Sequence, residues 1–578
     1  MHPDTSRGSN CPSKISCASC SRLFEPSARE LDFIYAVSPV FNDEKIAFPH
    51  CGLCPNCRRQ NRHALRNQFR LFKRRCDLSG RSMLSIHTPE ALFPVFHHQL
   101  WWEKKKRALD YGREFDFSRT FFEQLQELRN QVPVESLRLV NCENSEYSSN
   151  SIKCKNCLMV FGSLECEDCF YLENCTFCKN SMLAWRSNYL ELCYGIFGSD
   201  RLFNCFHCEA CFSSSDLYFC KQCYDCTYCF GCTQLHHKKY HIYNKAYSKK
   251  EYENFISKFK PGSFKEVESY REQARKFWET VPVSPVAERL NVDCTGDQLS
   301  ECKNCTYAFS AKNCEDSKYI FETVNVARSM DLDNVRYATG LCYQDSHCQT
   351  IFHVCFAYNS HNCSDSFYIS DCIELKHCLG CIGLYNEHHC ILNKRYSPDE
   401  YFKLANKIAH HMQETGEWGK QLPRKFSRFG YKHTTAYVHY PLEKDEAIAE
   451  GFNWSDYEEP ERNFIGAINS KDLPDDINDV DDDIIKYPII CMQTGRPFRI
   501  QKKELSLIRK LNVPLPRYYY TRQFQSVRKG RNRMHFYKAQ CEAMKTDGQH
   551  CDNEFYTSYP PDSKQLIYCD RCFQKYVF

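Results

Sequence analysis

No stretch of eighteen apolar residues occurs anywhere in the 578-residue chain, so a helical membrane span is not expected. The opening residues, MHPDTSRGSNCPSK, lack the apolar run of a secretory signal. A cytoplasmic protein with reduced, partly metal-bound cysteines is therefore the expectation. Catalytic signatures are missing as well: there is no Walker loop, no dinucleotide fingerprint and no H-E-x-x-H. Nothing points to a small-molecule substrate, and the protein is not expected to be an enzyme. Charge of one sign is also lacking. With 76 Lys and Arg against 72 Asp and Glu, the formal charge is +4, too near neutral to set a partner class for the whole chain.

What the chain does have is cysteine, forty of them, with 42% hydrophobic and 14% aromatic residues. That is enough apolar material for several cores. Between Cys142 and Cys232 every cysteine falls on one phase of a three-residue count. The other positions on that phase are Ser, Leu, Ile, Val or Ala, and none is charged. Neither a helix nor a strand has this period. A coil that turns a corner every three residues, pointing one residue inward each time, does.

Folding the stretch at twelve residues gives columns. One reads Ser151, Ser163, Cys175, Ser187, Ser199, Cys211, Cys223, small enough for a narrow bore. Another reads Asn144, Asn156, Asp168, Asn180, Leu192, Asn204, Asp216, Tyr228, and Asn and Asp suit turning backbone. A third, Leu158, Phe170, Met182, Tyr194, Phe206, Tyr218, Phe230, is large and apolar throughout, as a stacked ladder requires. The pattern predicts a narrow-bore β-solenoid of about twelve residues per coil. It resembles the beetle-type antifreeze solenoids, in local geometry only. Disulfides across the coils are the competing reading for these cysteines.

Residues 1–105 hold Cys17-Ala-Ser-Cys20 and, after 33 intervening residues, Cys54-Pro-Asn-Cys57. Two such knuckles suit a tetrahedral Zn2+ site in a zinc ribbon, with Cys11 and Cys51 to spare. Arg58, Arg62, Arg66, Arg70 and Arg74 follow at four-residue spacing, which on one helix makes a continuous cationic stripe. Like charges so placed destabilise a helix, so the stripe reads as a phosphate contact or as a face paired with acids elsewhere. Residues 106–140 form a connector with an amphipathic helix on Phe121, Phe122, Leu125 and Leu128, ended by Pro133.

The first solenoid occupies 141–246, and Ser248-Lys-Lys-Glu251 opens a capping helix within 247–290, interrupted at Pro261-Gly262. Cys378-Leu-Gly-Cys381 through Ile391 repeats the ending of the first solenoid at identical offsets. Residues 291–395 therefore read as a second, less regular solenoid whose phase slips before Cys342. Ser397-Pro398-Asp-Glu400 opens its capping helix at 396–415. The cap histidines His236, His237, His241, His388 and His389, with Cys390, offer a further metal site, although polar caps are the commoner use of such residues. Residues 416–485 end in DLPDDINDVDDD, read as an acidic linker or solvated tail, with docking on basic surface of the same chain as the alternative.

Residues 486–578 align with the N-terminal module. Cys17 to Phe24 and Cys491 to Phe498 each span seven residues, Glu30-Leu31 and Glu504-Leu505 lie thirteen beyond the cysteine, and Arg66-Asn67 and Arg531-Asn532 stand equally far before Cys76 and Cys541. Each copy then has two quartet positions. The first C-terminal quartet reads Cys491, Thr494, Tyr519, Arg522 and cannot bind zinc, whereas the second, Cys541, Cys551, Cys569 and Cys572, can. In the N-terminal copy that second site shrinks to Cys76 with His97 and Leu100, and a metal held by Cys76 with His97, His98 or His87 is not expected. A basic run with Arg528, Arg531 and Arg533, interleaved with aromatics, suits unpaired bases or else a small metal-stapled core.

The phrases FDFSRTFFEQ, ENSEYS, NKAYSKKEY, NWSDYEEP, LPDDINDVDDDI, TGRPFRI and NVPLPR, in this order around cysteine-rich repeats, resemble a family of large uncharacterised proteins from candidate-phylum bacteria. The resemblance covers most of the chain and implies zinc binding without an established activity. Members keep a second knuckle ahead of paired tryptophans, where this chain has His97 and Leu100 before Trp101-Trp102. The expectation is a mainly β protein with helices and two Zn2+ sites. Its terminal modules contact nucleic acid, with RNA favoured and DNA left open. The alternative is an assembly scaffold holding a protein partner along the solenoid's aromatic face. A thiol-redox or iron–sulfur protein is the third reading.

Overall fold

The computed structural model describes residues 14–577 apart from 68–69, 146, 287, 290, 310, 316, 318–323, 331–335, 347–351, 359, 361, 459–464, 524–535 and 545–547. The chain divides into two compact, discontinuous units, Met1–Ser136 with Val286–Glu458 and Leu137–Pro285 with Glu459–Phe578. Each unit therefore pairs one terminal module with the solenoid distant from it in sequence.

In the second of these units, parallel strands climb in steps of twelve: Leu158 pairs with Phe170, Phe170 with Met182 and Met182 with Tyr194. The ladder resumes at Asp200↔Phe212 and runs through Ser215↔Thr227 to Thr227↔Lys239. Corners are built from left-handed backbone at the residue before most inward positions, whatever its side chain: Lys153, Asn156, Met159, Glu165, Asp168, Tyr171 and Asn174 all have φ between 50° and 57°. Each such non-glycine residue costs roughly 1–2 kcal/mol. Coil-to-coil hydrogen bonds offset the cost. The left-handed Asn156 donates its N–H to Glu143 O at 2.9 Å, and its neighbour Lys155 donates to Cys166 O at 2.9 Å.

Inward N–H groups are buried in the lumen, and the inward serines answer them. Ser145, Ser163, Ser199 and Ser214 Oγ accept from the N–H of Cys157, Cys175, Cys211 and Cys226 one coil on, at 3.0–3.2 Å. Cysteines at the same positions donate Sγ–H to carbonyls two residues back and nine ahead, as Cys157 does to Lys155 O and Cys166 O. Serine and cysteine thus alternate because both are small and both satisfy buried backbone groups. The cysteines from Cys142 to Cys232 form no disulfides, against the reading of disulfides across the coils.

The large apolar column stacks, with Tyr194–Phe206 ring centroids 5.2 Å apart. Its rings are sheathed by the unit's own helices Lys249–Ile256 and Phe264–Glu279 and the turn between them, where Phe259 packs edge-on against Phe206, Tyr218 and Phe230. Much of the aromatic face is therefore covered within the unit, with Leu158, Tyr194 and Tyr218 half-buried. The acidic run is not a solvated tail either. Leu473, Ile477, Val480 and Ile484 are buried, and Asp475 caps the helix beginning at Phe264 by accepting from Ser263 Oγ at 2.6 Å and Lys265 N at 3.1 Å.

The other unit holds the second solenoid, a ten-stranded ladder. The phase slip before Cys342 is a bulge: Val324 pairs with Arg336 at twelve residues, Ser329 with Cys342 at thirteen, and Cys342 with Val354 at twelve again. Cys348 and Ile351, also on that phase, lie outside the described residues. Both predicted capping boxes form, Ser248 with Glu251 and Ser397 with Glu400. The helix Phe121–Gln131 also forms, its first two N–H groups received by the Glu417 carboxylate at 2.8 Å each.

Candidate metal centres and a duplicated module

The hairpin Ile15–Ser16/Leu23–Phe24 carries the first knuckle. Cys17 N donates to Arg22 O and Ser21 N to Cys17 O, at 3.0 and 2.9 Å, and Ser21 takes φ 58° to close the turn. Cys54 is the N-cap of the helix Pro55–Ala64, with proline at its first position, and Cys57 lies in the first turn. Cys54 N donates to Cys17 Sγ at 3.3 Å, while Cys20 and Cys54 sulfurs stand 3.7 Å apart. The four sulfurs all lie within 4.8 Å of one another, and three of the four residues are buried. The thiol bond from Cys57 holds the Cys54 thiol down to about 5 against burial, and Cys57 rises in turn. This set is ready to bind a cation.

In the other unit Cys541 follows the strand Tyr537–Gln540, which pairs with Glu554–Thr557. Cys551 N donates to Ala543 O at 2.8 Å, and Cys569 N donates to Cys541 Sγ at 3.2 Å. Cys569 precedes the helix Asp570–Val577 and Cys572 sits in its first turn, as Cys54 and Cys57 do on theirs. These four sulfurs also lie within 4.8 Å of one another. Burial opposes ionisation of Cys569, yet the N–H and thiol of Cys572 with neighbouring donors bring it to about 7. Both predicted quartets are therefore assembled, and each can hold a metal ion.

The duplication read from the sequence is visible in the backbone. The hairpin Ile489–Ile490/Pro497–Phe498 has the register of its N-terminal counterpart, and the helices Ala28–Ala36 and Lys502–Leu511 follow at the same distance. The two depleted sites keep the knuckle without the ligands. Cys491 N donates to Arg496 O at 2.9 Å and Gly495 N to Cys491 O at 3.1 Å. At the other, Cys76 N donates to Arg81 O at 2.9 Å and His97 N to Cys76 Sγ at 3.3 Å, matching Cys569 and Cys541. Ser79 and Thr494 stand at the third residue after each cysteine, where Cys20 stands in the intact knuckle. Among the described residues Cys76 and the histidines form no further ligand cluster. The cap histidines stack instead of converging: His236 lies on Tyr224 and His389 on His377, at 4.7 and 5.2 Å.

The predicted arginine stripe is not there. The helix ends at Ala64, because Asn67 bonds Arg70 O, Arg70 N and Ile86 O with its own side chain and turns the chain. Arg74 is on the strand Phe72–Arg75. Arg58, Arg62, Arg66 and Arg74 are buried, and Arg70 is half-buried. Arg58 Nη1 donates to Glu30 Oε1 and to Leu53 O, both at 3.1 Å, and Arg74 Nη2 donates to Asp77 Oδ2 at 2.8 Å. Segment 418–440 covers the helix, with Ser427 Oγ on Ala64 O and Tyr431 receiving Gln60. Arg528, Arg531 and Arg533 lie outside the described residues.

The sequence markers Glu30 and Glu504 are buried carboxylates with opposite surroundings. Glu30 has Arg58 at 3.1 Å and His50 at 3.4 Å. The position matching Arg58 in the second copy is Gln523, and Glu504 is instead met by Tyr171 OH at 2.7 Å and Gln501 N at 3.1 Å. Burial pushes the Glu504 carboxyl up to about 7, and no cation among the described residues lowers it.

No protein-family model matches the chain. No curated protein matches it either. Among solved structures, a "putative acetyltransferase" from Desulfovibrio desulfuricans G20 is similar at 12% identity over 45% of this chain and 75% of that one. The TM-score of 0.10 gives that likeness no weight.

Proposed function

We propose that this protein is a zinc-binding, non-catalytic assembly scaffold. All-sulfur quartets suit tetrahedral Zn2+, and four thiolates leave no open position for substrate or an attacking water. The observation that carries the scaffold reading over nucleic-acid binding is the burial of Arg58, Arg62, Arg66 and Arg74, which keeps these four side chains off the surface. A protein partner meets what the solenoid leaves outward, including the stacked and exposed rings of Phe177 and Tyr189, 5.3 Å apart. Band shifts with mixed single-stranded RNA at low salt test this directly. The scaffold reading predicts no salt-dependent shift. A shift abolished by Arg528→Ala/Arg531→Ala/Arg533→Ala installs the nucleic-acid reading in its place. Coloured protein with iron in the quartets refutes zinc.

A further inference from the structure

The first solenoid's lumen is lined with closely packed, buried cysteines. Cys193 with Cys205, Cys208 with Cys220, Cys220 with Cys232, and Cys211 with Cys223 are inward neighbours one coil apart, at the ~4.8 Å spacing of stacked strands, and all pack in one buried cluster. Cys226 and Cys229 belong to the same buried cluster, three and six residues beyond Cys223. A separate column runs coil by coil from the partly exposed Cys142 through Cys154 and Cys166 to Cys178. Among the described residues no three of these sulfurs lie within 4.8 Å of one another, unlike the terminal quartets. Pairs in sequence cannot make a tetrahedral zinc site. They suit two-coordinate, soft d10 cations, which prefer thiolate and bridge sulfurs in chains.

We propose that the lumenal thiol arrays of the first solenoid are a binding site for soft monovalent cations, Cu(I) or Ag(I), distinct from the two zinc quartets. A run of n thiols taking up n − 1 such ions releases n protons and leaves one net negative charge, so the buried bore is not loaded with charge as it fills. The backbone tolerates the loss of the S–H donors. Cys166 O, Cys178 O and Cys220 O, which accept from Cys157, Cys169 and Cys211 Sγ, each also accept a coil-to-coil N–H at 2.9 Å, from Lys155, Glu167 and Glu209. Cys142, which is not fully buried, gives the column that runs to Cys178 an end within reach of solvent.

The test is Cu(I) supplied from a chelator buffer to the anaerobic, zinc-loaded full chain, compared with Cys211→Ser/Cys223→Ser. That column already holds Ser151, Ser163, Ser187 and Ser199, so serine fits without disturbing the coil. A second variant, Cys154→Ser/Cys166→Ser, follows the precedent of Ser214 in its own column and cuts the other array. The expected result is far-UV circular dichroism unchanged on loading, water-shielded Cu(I)–thiolate luminescence, and lower copper uptake in both variants at unchanged zinc content. Equal uptake by wild type and both variants, or loss of the β signal as copper binds, overturns the proposal.

Discussion

Glu504 gives the sharpest handle on stability. Its carboxyl is 1% exposed, and its pKa rises from an ordinary 4.5 to about 7 because burial penalises the charge. The folded-state value lies above the unfolded one, so between pH 4.5 and 7 the folded chain holds a proton that the unfolded chain has released. Stability from this group is therefore intact below pH 4.5, falls as pH rises to 7, and is level above. At 1.36 kcal/mol per unit the whole loss is about 3 kcal/mol. Glu504→Gln removes the titration, and Gln523→Arg supplies the cation that Glu30 has in the other copy. Urea unfolding between pH 4.5 and 8 is the assay. The difference between wild type and Glu504→Gln is predicted to change by about 3 kcal/mol across that range, and Gln523→Arg to flatten the wild-type slope. Parallel curves for wild type and Glu504→Gln refute the reasoning.

Other perturbations have equally definite outcomes. Arg58→Ala leaves Glu30 buried without its guanidinium and is predicted to cost about 3–5 kcal/mol in chemical denaturation. Ser199→Ala removes the acceptor for Cys211 N inside the bore and is predicted to cost about 1–3 kcal/mol, with faster hydrogen exchange at that amide. Glu417→Ala strips both N–H acceptors from the helix Phe121–Gln131 and is predicted to cost about 1–2 kcal/mol, read as a lower melting temperature.

The solenoid was legible because an enclosed bore forbids charge, so a three-residue phase without charged residues survives in the text from Cys142 to Cys232. The slip before Cys342 was legible for the same reason, since one extra residue displaces every later inward position. The knuckles were legible because ligand spacing is fixed by coordination. The arginine stripe misled because four-residue spacing counts toward one helix face only while the helix lasts, and the stop signal, Asn67, acts through side-chain bonds to residues 70 and 86. Left-handed corners at Met159, Tyr171 and Phe177 leave no sequence mark, being imposed by the coil around them. The different roles of Glu30 and Glu504 hang on one substitution, arginine to glutamine, at a distant aligned position.

Zinc content, measured on protein purified without added metal, tests the central claim that two separate thiolate quartets each hold one ion. Wild type is predicted to carry two zinc ions per chain, Cys54→Ser and Cys569→Ser one each, and the double variant none. Wild type without zinc, or single variants that keep both ions, contradicts it.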